Sequence, residues 1–176
     1  MHEAIQYGTV TIGDTHFDLL LDLYLPQGSL PPFPTLVYIH GGGWMEGSRR
    51  YCPGETFAAL GYAVASIDYR LASMHGNCKP YNIFPAQIHD IKAAVRWLRL
   101  NASEYGLDPE RFAAIGDSAG GHLASLLGVS HGIEALQGDL NPGASDAVQA
   151  VVDWYAPVEV LHPPPEIAFD EDPCQF

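Results

Sequence analysis

Gly116-Asp117-Ser118-Ala119-Gly120 is the stretch of this chain best suited to covalent chemistry. A serine hydroxyl is a useful nucleophile only when it stands clear of its own backbone and a base can take its proton. The G-x-S-x-G spacing meets the first condition if a strand precedes it and a helix follows. A serine on so tight a turn sits in strained backbone geometry. The residues two before and two after it then approach so closely that side chains larger than hydrogen or methyl collide, and glycine at 116 and 120 removes that collision. The hydroxyl is left at a helix N-terminus, where backbone N–H groups and the dipole favour developing negative charge. The plainer alternative is a glycine-rich turn whose serine only caps the helix. The strand-like and helix-like segments on either side favour the nucleophile.

A second cluster, His40-Gly41-Gly42-Gly43-Trp44, lies upstream. Consecutive glycines leave their N–H groups unobstructed, able to point at an oxyanion from the side opposite Ser118. A phosphate loop would need a following Gly-Lys-Ser/Thr, and Glu46 breaks the G-x-G-x-x-G pattern, so nucleotide binding is not expected. A flexible turn remains the alternative, weakened because both glycine sites follow buried strands in the order acyl transfer needs. His40 is expected to orient the glycine loop, and Asp117 to be solvated or hydrogen-bonded rather than catalytic. Two readings of Asp68 and Arg70 stand: they hold the loop after them, or, as the favoured account, they form a plain ion pair. The eight histidines form no HExxH or ligand-spaced cluster, so neither metal nor cofactor is expected.

Strands must end where these loops begin, and the hydropathy pattern supplies them. Residues 5–10 and 17–25 read as strands, the second a run of leucines interrupted by Asp22. Residues 26–34 form a Pro/Gly turn segment. Residues 35–39 are continuously apolar, as in a strand covered on both faces, and 62–67 read the same way. Residues 49–60 look weakly helical around Pro53 and Gly54, and 71–84 look loop-like. A helix begins at Pro85, with Ile88, Ile91, Val95 and Leu98 on one face. Then follow a strand at 111–115, a helix at 118–127 and a strand at 148–154. The alternation predicts an α/β fold with a mostly parallel sheet, helices on both faces and right-handed crossovers.

Composition narrows the remaining classes. The 176 residues are 47% hydrophobic and 16% charged, a globular rather than disordered balance that fits one domain. No apolar run reaches the roughly 18 to 20 residues needed to span a bilayer, so no membrane span is expected. Eight Lys plus Arg against 21 Asp plus Glu give a net charge of −13, which excludes nucleic acid as a partner. The acid is uneven: residues 1–111 carry −3, while everything after Arg111 carries −10 and no base. Cys52, Cys78 and Cys174 contain no CxxC pair, so a reduced, cytoplasmic setting is expected, with a Cys52–Cys78 bridge as the minor alternative. Nothing in the chain indicates an oligomeric state.

Taken together, LDLYLP (21–26), YIHGGGW (38–44), DYRL (68–71), FPAQIHDIKAAVRWLR (84–99), YGLDPERFAAIGDSAGGHLASLLG (105–128) and VVDWYAP (151–157) resemble the alpha/beta-hydrolase superfamily. The resemblance is to its HGGG-type esterases and lipases, including hormone-sensitive-lipase-like and feruloyl or acetyl esterase-like members. It implies a serine carboxylic-ester hydrolase acting on a small or short-acyl ester, with Ser118 as nucleophile. Gly42, Gly43 and the Ala119 N–H would form the oxyanion hole, with Gly41 a weaker candidate. Arylformamidases carry a related HGG-x-W loop, which leaves amides open. The family's chain order of Ser, then Asp or Glu, then His is not completed by the 58 residues after Ser118. Asp153 stands where some relatives carry the acid. His162 lies only nine residues later, and His122 is on the helix of Ser118 itself. The resemblance therefore implies one alpha/beta-hydrolase domain over 1–176 that lacks its last strands. The other reading is a catalytically incomplete fragment or interaction module.

Overall fold

The computed structural model describes residues 1–75 and 79–159. A long hairpin opens the chain, β1 (His2–Ile12) and β2 (Thr15–Tyr24). β3 (Phe33–Ile39) leads through the glycine loop and a short 3₁₀ turn (Arg49–Tyr51) to α1 (Gly54–Ala59) and β4 (Ala63–Ile67). Two three-residue strands, β5 (Ser73–His75) and β6 (Lys79–Tyr81), pair with each other, so the segment expected to be loop carries a small ladder. Next come α2 (Ala86–Leu100), the single turn α3 (Ala102–Tyr105), β7 (Leu107–Asp117), α4 (Ala119–Val129) and β8 (Ala150–Trp154).

Among the described residues, six strands form one sheet in the order β1-β2-β4-β3-β7-β8. The β3–β4, β3–β7 and β7–β8 pairs are parallel, while β2 is antiparallel to both neighbours. Only β2 therefore runs against the rest, and the expected mostly parallel sheet is what forms. Alternation along the strands serves two layers, because successive side chains leave opposite faces. Val37, Ile39, Ala65, Ile67, Phe112 and Ala114 join the larger core with α2 and α4. The neighbours Tyr38, Val64 and Ile115 face the other way, against Cys52 and Phe57. Helix α2 turns Ile88, Ile91, Val95 and Leu98 into that larger core, all without exposure.

Asp22, Asp68 and Arg70 each find an ion-pair partner from elsewhere in the chain. Asp22, the residue that breaks the leucine run, accepts from Arg49 Nε at 2.9 Å and from the Ala4 N–H at 2.8 Å. Arg49 also reaches Asp68, through its backbone N–H at 2.7 Å and through its guanidinium. Arg70 is bidentate to Asp90 on α2, Nε donating to Oδ2 and Nη2 to Oδ1, both at 2.8 Å. Asp68 and Arg70 are thus each ion-paired, but with Arg49 and Asp90 rather than with each other. Residues 68–70 lie past the end of β4 in irregular backbone, and there Asp68 turns toward the 3₁₀ turn at Arg49 while Arg70 turns toward α2.

The topology fixes where chemistry can occur. From β3 the chain crosses to β4 on one side and later returns to β7 on the other. Such a switch point opens a crevice at the carboxyl ends of the strands. Ile39, the last residue of β3, is in register with Gly116 of β7, and Asp117 with Trp154 of β8. The glycine loop and the turn at Ser118 therefore leave the sheet side by side.

Candidate active site

Ser118 joins β7 to α4 with φ 51° and ψ −120°, the positive φ that non-glycine residues adopt only under constraint. Backbone bonds hold it there: its N–H donates to Trp154 O at 2.8 Å, and its carbonyl accepts from the His122 N–H at 3.0 Å. Its side chain caps nothing in α4, which disposes of the helix-cap reading. The glycines on either side are compulsory. A Cβ on Gly116 would overlap the Gly120 carbonyl, and one on Gly120 would overlap the Ile39 carbonyl at the end of β3. Even a methyl is excluded at both, a tighter limit than the sequence suggested, because β3 as well as the turn itself closes on the site.

The glycine loop has φ values of 111° at Gly42 and 58° at Gly43, and Trp44 follows at 64°. The Gly42 carbonyl accepts from the Met45 and Glu46 N–H groups, both at 3.0 Å, and Ala72 N–H caps the Trp44 carbonyl at 2.8 Å. Gly41 N–H donates to Asp117 Oδ1 at 3.3 Å. Among the described residues, no acceptor engages the N–H of Gly42, Gly43 or Ala119. These three N–H groups are thus unspent among the described residues, while that of Gly41 is taken.

His40 supports the loop from beneath. Its Nδ1 lies 2.8 Å from Gly41 O; a carbonyl only accepts, so Nδ1 carries the proton. The ring stacks on Tyr69 at 4.3 Å between centroids, and the Tyr69 hydroxyl donates to His40 O at 2.9 Å. Burial lowers the His40 pKa, against smaller opposing contributions from Gly41 O and from Asp68 and Asp117, which keeps the ring neutral. Asp117 is hydrogen-bonded, as expected, to Tyr38 Oη at 2.8 Å. Burial and that bond push the Tyr38 hydroxyl above the usual phenol range.

Among the described residues, Asp153, His122 and His131 are engaged away from the serine hydroxyl. Asp153 accepts from Ser125 Oγ at 3.2 Å and from the Ala156 N–H at 2.8 Å. His122 meets Trp44 edge-on at 5.3 Å, with burial lowering its pKa. His131 pairs with Asp146 at 2.7 Å, beside Lys92 and Arg96 of α2. Among the described residues no side chain hydrogen-bonds the Ser118 hydroxyl. His162, Cys78 and Cys174 lie outside the described residues, and Cys52 carries a free thiol. No described group of three His, Cys, Asp or Glu could hold a metal ion, and no described helix is long and apolar enough to cross a membrane. Sequence reasoning missed Tyr38 and Tyr69, although both stand inside quoted motifs. Their signal was a tyrosine at a strand end, where a phenol can reach an adjacent loop.

Comparison with known proteins adds a family and a fold. The BD-FAE family model matches residues 21–171. Esterase LipC of Mycobacterium tuberculosis (strain ATCC 25618 / H37Rv) is 38% identical over 127 residues, covering 70% of this chain and 30% of LipC. Arylacetamide deacetylase of Bos taurus is also 38% identical over 127 residues, covering 67% of this chain and 30% of its own length. Among solved structures, the propionate-bound esterase Est2 of the planctomycete Thermogutta terrifontis superposes with a TM-score of 0.72 at 32% identity, covering 88% of this chain and 54% of Est2. The chain spans about a third of the length of these curated relatives.

Proposed function

This chain belongs to the BD-FAE family of alpha/beta-hydrolase-fold esterases, and on that premise we propose that it is a serine carboxylic-ester hydrolase working through Ser118. The observation that carries the reading is the constrained serine beside a glycine loop with unspent N–H donors. Ser118 Oγ attacks the ester carbonyl carbon as a histidine takes its proton. The carbonyl oxygen becomes an oxyanion held by the N–H groups of Gly42, Gly43 and Ala119, which form the oxyanion hole on the turn that serves as nucleophile elbow. Removing one such donor costs roughly 10² to 10³ in kcat in comparable sites. The tetrahedral centre collapses and the alcohol leaves with the histidine's proton, so that the acyl group stays on Ser118. Water, deprotonated by the same histidine, then releases the acid. We assign that histidine and its acid partner to positions outside the described residues.

A small or short-acyl ester is the substrate class proposed, by likeness to the esterases above. The name of the deacetylase relative keeps amides within the same chemistry, because amide attack passes through the same oxyanion. The reported relatives do not favour reading the chain as an interaction module. Hydrolysis of p-nitrophenyl acetate and p-nitroacetanilide by wild type and Ser118→Ala tests the proposal. Expected is ester turnover lost by at least about 10²-fold in the variant, and slower or absent anilide turnover. Turnover that survives Ser118→Ala would sink the nucleophile assignment.

A further inference from the structure

We infer that Asp117 is a positioning residue: its carboxylate fastens the glycine loop to the turn at Ser118 and holds the two halves of the oxyanion hole in register. The inference rests on the oxyanion-hole reading above and extends it to a residue outside the hole. Asp117 Oδ1 accepts from two donors on the neighbouring strand and loop, Tyr38 Oη at 2.8 Å and Gly41 N at 3.3 Å. Both donors belong to β3 or its immediate continuation, while the carboxylate belongs to the residue preceding Ser118. One oxygen therefore bridges the two loops whose N–H groups must point at one atom. The approach is close: a Cβ on Gly41 would lie 2.9 Å from the Asp117 carbonyl oxygen and closer still to its carboxylate. From the opposite side, His40 Nδ1 holds Gly41 O at 2.8 Å. Gly41 is thus held at both its N–H and its C=O, and the N–H groups of the next two residues have no acceptor among the described residues. Preorganised donors of this kind stabilise an oxyanion because they need no reorientation when charge develops.

What matters in this account is the acceptor oxygen, so Asn should replace Asp and Ala should not. Two measurements on the 176-residue chain separate the inference from the functional reading. The first is amide hydrogen exchange of the glycine loop. In wild type, Gly41 should exchange at least about tenfold more slowly than Gly42 and Gly43; in Asp117→Ala the protection should vanish, and in Asp117→Asn it should persist. This readout needs no activity, and the wild-type comparison stands even if Asp117→Ala does not fold. Equal exchange of Gly41 and Gly42 in wild type overturns the inference, as does unchanged Gly41 protection in Asp117→Ala. The second is the rate of Ser118 labelling by a fluorophosphonate, whose phosphoryl oxygen occupies the oxyanion position as fluoride leaves. Folded Asp117→Ala should label about tenfold or more slowly, and Asp117→Asn within about threefold of wild type. Equal labelling of wild type and Asp117→Ala contradicts the inference, and so does an Asn variant as slow as Ala. An unlabelled wild type counts against the functional reading, while the exchange data still decide the role of Asp117.

Discussion

His40 and His122 are both held below the ordinary imidazole pKa of 6.5 by burial, and the sign of the consequence follows from linkage. Above pH 6.5 neither state carries the extra protons and their contribution to stability is full. As pH falls below 6.5, the unfolded chain takes up protons that the folded chain resists, so stability falls until the lowered folded-state values are reached. The melting temperature should therefore drop between pH 7 and pH 5. His40→Gln, whose amide can still donate to Gly41 O, should show a shallower drop than wild type; parallel curves would contradict the burial account. Gly120 poses a steric question of the same scale. Its missing Cβ is where the Ile39 carbonyl lies, and backbone cannot yield as a flexible side chain can. Gly120→Ala should cost about 2 kcal/mol or more, in line with overpacking of a tight interior, read as a shift in the urea midpoint. A midpoint within error of wild type would show that the turn relaxes.

At the scale of elements, the 3₁₀ turn after the glycine loop is tied to the sheet by Arg49, which bridges Asp22 of β2 and Asp68 beyond β4. Removing one partner of a buried ion pair leaves uncompensated charge. Asp22 is 5% exposed, so Arg49→Ala should destabilise by about 3 to 5 kcal/mol. The double variant Arg49→Ala with Asp22→Asn should recover part of that loss in the same urea titration. No recovery would mean that Asp68 or packing carries the effect. Most elements were legible in the sequence because one periodicity dominates each of them. The four apolar positions of α2 all reach the core, and the continuous apolar runs of β3 and β4 mark strands covered on both faces. Partner choice was less legible. Asp22 looked like an interruption, and Asp68 looked like the partner of Arg70, because a single strand does not reveal which distant cation the fold delivers. The short β5–β6 ladder was hidden by Gly76 and Pro80, which read as turn residues.

At the scale of the whole molecule, the crevice arises from strand order, a property no local window contains. The glycine loop and the serine turn are 76 residues apart from Gly41 to Asp117, yet one hydrogen bond joins them. Motif spacing gave each half of the site, while the strand register brought them together. The activating base is the part that local reading could not find. His122 is near in sequence but committed to Trp44, and His131 to Asp146. The uneven charge, −10 after Arg111, includes carboxylates that the fold does use: Asp117 at the loop, Asp146 against two buried cations and Asp153 at the end of β8. Part of that acidity is therefore structural. The central claim is that Ser118 is a nucleophile set against an oxyanion hole, and intact-mass analysis after fluorophosphonate treatment tests it most directly. One adduct should form, mapped to the peptide containing Ser118 and absent from Ser118→Ala. An adduct on another residue, or a folded wild-type chain that takes up none, would contradict the account.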